Sequence, residues 1–195
     1  MMVSKQGHCL NDLLFRARTG QLPISIPLIV SNHTEYEALA ATYNIPFHHL
    51  PVTSSSESKA EQEHKILGLV KSEGIDLIVL ARYMQILTPG LCSAMSGKII
   101  NIHHSFLPSF KGAKPYHQAY DRGVKIIGAT AHFVTSDLDE GPIIEQNVVR
   151  VDHALSPREL TMEGSNVESN VLAAAVKWVA ERRVLLNGSK TVVFN

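Results

Sequence analysis

An asparagine and two histidines stand at the end of an apolar run, in the order Asn101-Ile102-His103-His104. Side chains of a β-strand alternate between its two faces, so Asn101 and His103 are predicted to project together and His104 to the opposite side. A carboxamide beside an imidazole can donate hydrogen bonds to a carbonyl oxygen that gains negative charge. The pair therefore predicts an oxyanion-stabilising site, although a polar strand end that only satisfies loop backbone would contain the same residue types.

A second candidate is the acidic loop from Ser136 to Pro142, which carries Asp137, Asp139 and Glu140. Asp and Gly are also ordinary turn residues, so a solvated turn is the alternative interpretation. If the fold brings the loop to His103, one of its carboxylates can act as a general base or orient the imidazole. We favour Asp139, but the spacing of the residues does not separate it from Asp137.

No bound metal is expected from the histidine pairs of this chain. His103-His104 and His48-His49 would each direct their rings to opposite faces of a strand. The sequence has no Glu-x-x-His or Cys-x-x-Cys pairing that would complete a zinc ligand set.

Composition excludes several classes of protein. The 195 residues carry 18 Lys and Arg against 18 Asp and Glu, so there is no electrostatic reason to expect nucleic acid or an anionic membrane as partner. The apolar runs are short, as in Leu77–Ala81, and Met1–Cys9 has no apolar core of the length that a signal peptide needs.

Cys9 and Cys92 are the only cysteines. No disulfide framework is expected from two cysteines, and we expect a reducing compartment, the cytoplasm.

Apolar runs alternate with helical patterns along the chain. The predicted strands are Ser25–Val30, Phe47–Leu50, Asp76–Ala81, Lys98–His103, Val124–Val134 and Ile143–Val151. The predicted helices are Leu10–Ala17, Glu35–Tyr43, Glu57–Ser72, Pro115–Asp121 and a long helix that begins with a capping box at Ser156 and continues to Val179. The pattern predicts an α/β fold with an open, mostly parallel sheet, helices on both faces and an antiparallel edge. A C-terminal hairpin is predicted around Asn187-Gly188.

Several separated motifs resemble, in their order along the chain, the formyltransferase-fold family of folate enzymes. Two of them are Asn101–Gly112 and Leu138–Ile144. Three further segments resemble the branch of the family that hydrolyses its folate donor: Ala81–Leu87, Tyr116–Tyr120 and Arg183–Gly188. The resemblance covers nearly the whole chain, and it implies a Rossmann-like formyltransferase catalytic domain over residues 1–195.

The resemblance implies a reaction and a set of residues for it. The reaction is hydrolysis of 10-formyltetrahydrofolate to formate and tetrahydrofolate, which feeds formate to one-carbon and purine metabolism. The catalytic residues of the family correspond to Asn101, His103 and Asp139. The pterin ring would lie against two segments, which consist of Tyr83, Met84, Gln85, Ile86 and Leu87 and of Val134, Thr135, Ser136, Asp137 and Leu138. The folate is then a substrate rather than a permanently bound cofactor, water is the second reactant, and assembly into a homo-oligomer is left open.

Two alternatives accompany this interpretation. The first is formyl transfer to an amine such as phosphoribosylglycinamide, but the loop Ser4–Cys9 has a single glycine, which poorly supports a nest of backbone amides for the phosphate of such an acceptor. The second is a folate-binding remnant without turnover, against which the three intact catalytic residues argue. Hydrolytic members of the family usually carry a small N-terminal regulatory domain of the ACT type. We expect that domain to be absent here and the first strand, before Ser4, to be truncated.

Overall fold

The computed structural model describes residues 1–53, 55–107 and 115–194 of the chain. Residues 108–112 of the motif Asn101–Gly112 therefore lie outside the described residues. The strands are β1 Met2–Val3, β2 Ile29–Ser31, β3 Phe47–His49, β4 Ile78–Leu80, β5 Ile99–His103, β6 Ile126–Phe133, β7 Ile143–Arg150, β8 Val184–Asn187 and β9 Lys190–Val193. The helices are α1 His8–Arg18, α2 Glu37–Thr42, α3 Ser56–Ser72, α4 Pro89–Ala94, α5 Pro115–Asp121 and α6 Pro157–Ala180.

Seven strands form one sheet in the order β3-β2-β1-β4-β5-β6-β7, and β8 and β9 form the predicted hairpin. The pairs from β3 across to β5 are parallel, whereas β6 and β7 are antiparallel to their neighbours. The mostly parallel sheet with an antiparallel edge is therefore confirmed. From β1 the strand order first runs to β2 and β3 on one side of the sheet. It then reverses, and β4 and β5 lie on the other side of β1. Open α/β sheets bind ligands at such a reversal, beyond the carboxyl ends of the strands.

Consecutive residues of the central strands pack into two different hydrophobic cores. Val3, Val79 and Ile100 contact the core that includes α1 and α6, whereas their strand neighbours Met2 and Ile78 contact the core that includes α3 and α4. This division follows from the two-residue period of a strand. Helices therefore cover both faces of the sheet, as predicted.

The strand predicted at Ser25–Val30 is wrong in its extent, because the structure has a strand only at Ile29–Ser31. Pro27 has no N–H group for a ladder, and β1 offers only Met2 and Val3 as partners, opposite Val30 and Ser31. Ile24 and Ile26 still pack against the first core, although outside a strand.

The long helix α6 begins where the sequence predicts it. The Ser156 side chain accepts from the backbone N–H of Glu159, and the Glu159 carboxylate accepts from the backbone N–H of Ser156, which makes the capping box. One face of α6 packs into the core against the sheet. Among the described residues, no helix is long and apolar enough to cross a membrane.

Candidate active site

A cavity of about 260 Å³ opens at the carboxyl edge of the sheet, beside β4 and β5. All ten residues predicted to bind the substrate line it, and so do Asn101, His103 and Asp139. The cavity is also lined by residues that the sequence interpretation left without a role, namely Arg82, His104 and His132. The structure therefore brings together segments that lie far apart in the chain.

His103 and Asp139 form the first contact of the site. His103 Nδ1 lies 3.3 Å from Asp139 Oδ1, and both side chains are mostly buried. The hydrogen bond from His103 lowers the pKa of Asp139 by more than burial raises it, so the group is a carboxylate at neutral pH. Asp137, the alternative that spacing left open, is exposed at the rim.

A tight turn delivers Asp139 to this position. Asp139 has a φ of 58°, in the left-handed region that Asp tolerates better than most residues. Two residues later, a Cβ on Gly141 would lie 1.7 Å from the carbonyl oxygen of Phe133. Only glycine allows the turn to approach β6 so closely. The Asp-Glu-Gly sequence thus has a structural role as well as a chemical one.

His132 is a site residue that the sequence interpretation missed. It lies on β6 directly opposite Asn101 of β5, and its Nδ1 donates to the carbonyl oxygen of Phe133 at 2.8 Å. Its Nε2 is then the acceptor for Asn101 Nδ2, at 3.2 Å. Burial lowers the pKa of His132, which keeps the ring neutral. The carboxamide of Asn101 is therefore oriented by His132, with a second N–H hydrogen still available.

His104 does not separate from His103 as the alternation argument predicts. β5 ends at His103, so the two-residue period no longer applies to the next residue. The two imidazole rings stack, with centroids 4.9 Å apart and planes 16° from parallel. Both residues line the cavity. The prediction is wrong because a periodicity does not reveal where a strand ends.

Arg82, at the end of β4, connects His104 to the interior of the protein. It has a φ of 63°, which is uncommon outside glycine, and its side chain is buried. Its Nη1 donates to His104 Nδ1 at 2.5 Å, and its Nε donates to Gln6 Oε1 at 2.9 Å. The same Nε lies 3.3 Å from Glu168 Oε2. In the sequence, Arg82 is one residue of the motif Ala81–Leu87 and carries no signal of its own.

Glu168 is the anion that balances Arg82. This residue of α6 is 1% exposed, and it accepts from Tyr116 Oη at 2.5 Å and from His8 Nε2 at 2.7 Å. Burial alone would raise the pKa of Glu168, but the hydrogen bond from His8 and the charge of Arg82 outweigh it and the pKa is lowered. We call Arg82, Glu168, His8 and Tyr116 the buried polar cluster.

One group of possible metal ligands, His8, Cys9 and Glu168, also lies within this region. The guanidinium of Arg82 stands 3.3 Å from the Glu168 carboxylate and already neutralises it. Burial raises the pKa of Cys9, so its sulfur is a thiol and a poor ligand. The donor set therefore fits an ion pair better than a cation site.

The sheet order, with a polar cavity at its carboxyl edge, defines a Rossmann-like α/β fold. The chain belongs to the formyl transferase family, whose model matches residues 1–176. It is 54% identical over 193 residues to formyltetrahydrofolate deformylase of Corynebacterium sp. (strain P-1), covering 99% of this chain and 67% of that protein. For the relative of the same name in Bacillus subtilis (strain 168), the identity is 52% over 195 residues, covering 100% of this chain and 64% of that protein.

Solved structures of related enzymes have the same fold as this chain. The crystal structure of formyltetrahydrofolate deformylase from Burkholderia mallei has a TM-score of 0.95 and 57% identity, covering all of this chain and 68% of that one. Glycinamide ribonucleotide transformylase 1 from Symbiobacterium toebii has a TM-score of 0.89 at 29% identity, covering all of this chain and 92% of that one. The chain thus spans about two thirds of the length of the deformylases it matches.

Proposed function

We propose that the chain hydrolyses 10-formyltetrahydrofolate to formate and tetrahydrofolate, and that residues 1–195 act as its catalytic unit. The observation that carries the proposal is the contact of 3.3 Å between His103 and Asp139 at the polar end of the cavity. The identity above 50% to several deformylases supports the choice of reaction.

The walls of the cavity suit a flat, partly polar ring. Met84, Ile86 and Leu138 are apolar side chains more than half exposed at its mouth. Exposed apolar side chains gathered at one place are typical of a ligand site. The segments Tyr83–Leu87 and Val134–Leu138 also supply backbone groups that can pair with the edge of a pterin. These segments would bind the folate, and the formyl group would then reach Asn101 and His103.

The chemistry follows from the reactivity of a formamide. Attack of water on the formyl carbon forms a tetrahedral oxyanion, to which Asn101 Nδ2 would donate a hydrogen bond. His103 Nε2 would donate a second one in the form of the ring that carries a proton on both nitrogens, since Nδ1–H faces Asp139. One donor of this kind contributes about 3 kcal/mol to the stability of the transition state. Asp139 would accept the proton of the attacking water, and N10 takes a proton as the C–N10 bond breaks. The products are formate and tetrahydrofolate, and one proton is released to solvent.

A single assay tests the reaction. The purified chain is supplied with 10-formyltetrahydrofolate and no amine, and formate and tetrahydrofolate are measured. We expect both products in equal amounts. Formyl transfer, favoured by the likeness to the Symbiobacterium transformylase, would instead require phosphoribosylglycinamide before any tetrahydrofolate appears. Folate binding without either product would indicate a non-catalytic remnant.

The contact between His132 and Asn101 leads to a further prediction. The substitution His132→Phe retains the ring but removes the acceptor that orients the Asn101 amide. We expect kcat to fall by about 10- to 100-fold at nearly unchanged KM, because misplacing a group of the transition-state site can cost up to about 10²-fold. Steady-state rates of formate release measure the effect. His153→Phe, at an exposed position, is the control, and equal kcat values for the two variants would exclude the orienting role.

We also propose that the enzyme works in the cytoplasm. Cys9 and Cys92 are both free and buried, which is typical of proteins in a reducing compartment.

A further inference from the structure

Two buried imidazole nitrogens, His103 Nε2 and His104 Nε2, have no hydrogen-bond partner within residues 1–53, 55–107 and 115–194. Buried polar atoms normally have a partner, and an exception at a functional site indicates a ligand. The proposed reaction uses His103 Nε2 as a donor to the oxyanion. It gives no role to His104, although the His104 ring lines the same cavity.

The protonation of His104 follows from its neighbour. A guanidinium is always a donor and never an acceptor, so His104 Nδ1, at 2.5 Å from Arg82 Nη1, must accept. The single hydrogen of the neutral ring is therefore on Nε2. His104 is thus a hydrogen-bond donor at its unpartnered atom, in a tautomer that Arg82 selects.

Arg82 can hold this tautomer because it is itself fixed. Gln6 accepts from its Nε and Nη2, at 2.9 and 2.5 Å, and Glu168 balances its charge. Four groups act on the charge of the His104 ring. Burial first, then the charges of Arg82 and His103, lower the pKa of His104 to about 4 against the opposing effects of Glu168 and Asp139. The ring stays neutral at any pH at which the enzyme would work.

The other reactive groups leave the attacking water without a hydrogen-bond donor to its oxygen. Asn101 and His103 face the formyl oxygen in the proposed reaction, and the segments 83–87 and 134–138 face the folate ring. Asp139 takes a proton but is an anion, so it offers no donor. The attacking water needs a fixed donor if its oxygen is to be held in one orientation.

We infer that His104 Nε2–H binds the oxygen of the attacking water, and that the buried polar cluster serves to hold His104 in place. This inference rests on the proposed hydrolysis. The water oxygen forms its bond to the formyl carbon, one water proton passes to the His103–Asp139 pair, and the C–N10 bond breaks with protonation of N10. His104 gains and loses no proton in the cycle.

Three substitutions of His104 test this assignment. His104→Phe keeps a flat ring but removes both nitrogens. His104→Asn retains an acceptor close to the position of Nδ1, for Arg82, but has no donor at the position of Nε2. His104→Gln places an amide N–H close to the position of Nε2. We expect kcat for formate release to fall by about 10²-fold in the Phe and Asn variants, at unchanged KM. The Gln variant should recover most of the loss.

A change of nucleophile separates water binding from simple support of the His103 ring. With hydroxylamine added, the enzyme can form formohydroxamate as well as formate, and the ratio of the two products is measured. If His104 holds water, His104→Phe lowers formate formation more than formohydroxamate formation, so the ratio rises relative to the wild-type enzyme. The exposed His64 of α3 offers the control His64→Phe, which should leave rates and ratio unchanged.

The outcomes are distinct. A wild-type enzyme that releases no formate overturns the proposed hydrolysis, and this assignment with it. An active wild-type enzyme whose His104→Phe variant keeps its kcat overturns the assignment alone. The assignment also fails if the Phe, Asn and Gln variants lose kcat equally with an unchanged product ratio, since that is the result of lost packing.

Discussion

Asp139→Asn is expected to lower kcat for formate release by about 10²- to 10⁴-fold, the range that general acid–base groups contribute. The substitution keeps the shape of the side chain but removes the negative charge that faces His103 Nδ1 at 3.3 Å. It removes the acceptor for the proton of water and the charge that orients the imidazole. KM should change little, because the segments proposed to bind the folate ring remain intact. Initial rates over a range of folate concentrations separate the two constants.

Asp137→Asn is the matched control for this prediction. It lies in the same loop, two residues away, and it removes the same charge from an exposed position. We expect it to retain near-normal kcat, because residues 134–138 are proposed to pair with the folate ring through backbone groups, which this substitution leaves in place. If the two variants lose activity equally, the effect comes from the net charge of the loop, and Asp139 is not the base.

The shared face of Asn101 and His103 could be predicted from one local rule, and both residues line the cavity. Both lie within β5, where the two-residue period places them on one face. Asp139 could not be chosen over Asp137 in this way, because the choice depends on a turn with a φ of 58° and on the close approach of Gly141 to β6. The resemblance to a family supplied the choice, and the contact with His103 gives it a physical basis.

The residues that were missed depend on contacts between distant elements. His132 lies within an apolar strand, and only the register of β5 against β6 places it opposite Asn101. Glu168 did carry a local signal, since Gly164, Glu168 and Leu172 share the buried face of α6 at four-residue spacing. A charged residue in such a row needs a buried partner. The sequence alone could not identify that partner as Arg82.

Tyr116 explains why the buried face of α6 contains Gly164 next to Glu168. A Cβ on Gly164 would lie 2.1 Å from Tyr116 Oη, so the small residue makes room for the phenol that donates to Glu168. Burial and the charge of Glu168 both raise the pKa of Tyr116, which keeps the phenol a donor. The helix face is thus built around one buried carboxylate.

Glu168→Leu is therefore expected to lower the free energy of unfolding by about 3–5 kcal/mol, the usual cost of removing one partner of a buried ion pair. Leucine has a similar volume, but it leaves the buried guanidinium of Arg82 without its anion and the hydroxyl of Tyr116 without its acceptor. Urea denaturation followed by circular dichroism measures the loss. Glu163→Leu, at an exposed position on the same helix, is the control and should change stability by less than about 0.5 kcal/mol.

The pH dependence of the stability lost in Glu168→Leu tests whether the charge of the Glu168 carboxylate is its cause. The pKa of Glu168 is lower in the folded protein than its ordinary value. The stabilisation from its charged form is therefore complete above the ordinary glutamate pKa and is lost as the pH falls through the lowered value. The difference in the free energy of unfolding between the wild-type protein and Glu168→Leu should therefore become smaller in acid. Glu168→Gln keeps an acceptor for Tyr116, so its free energy of unfolding at neutral pH should lie between those of the other two proteins. If the difference in the free energy of unfolding between the wild-type protein and Glu168→Leu is the same at neutral and acid pH, the lost stability comes from packing and not from the charge that balances Arg82.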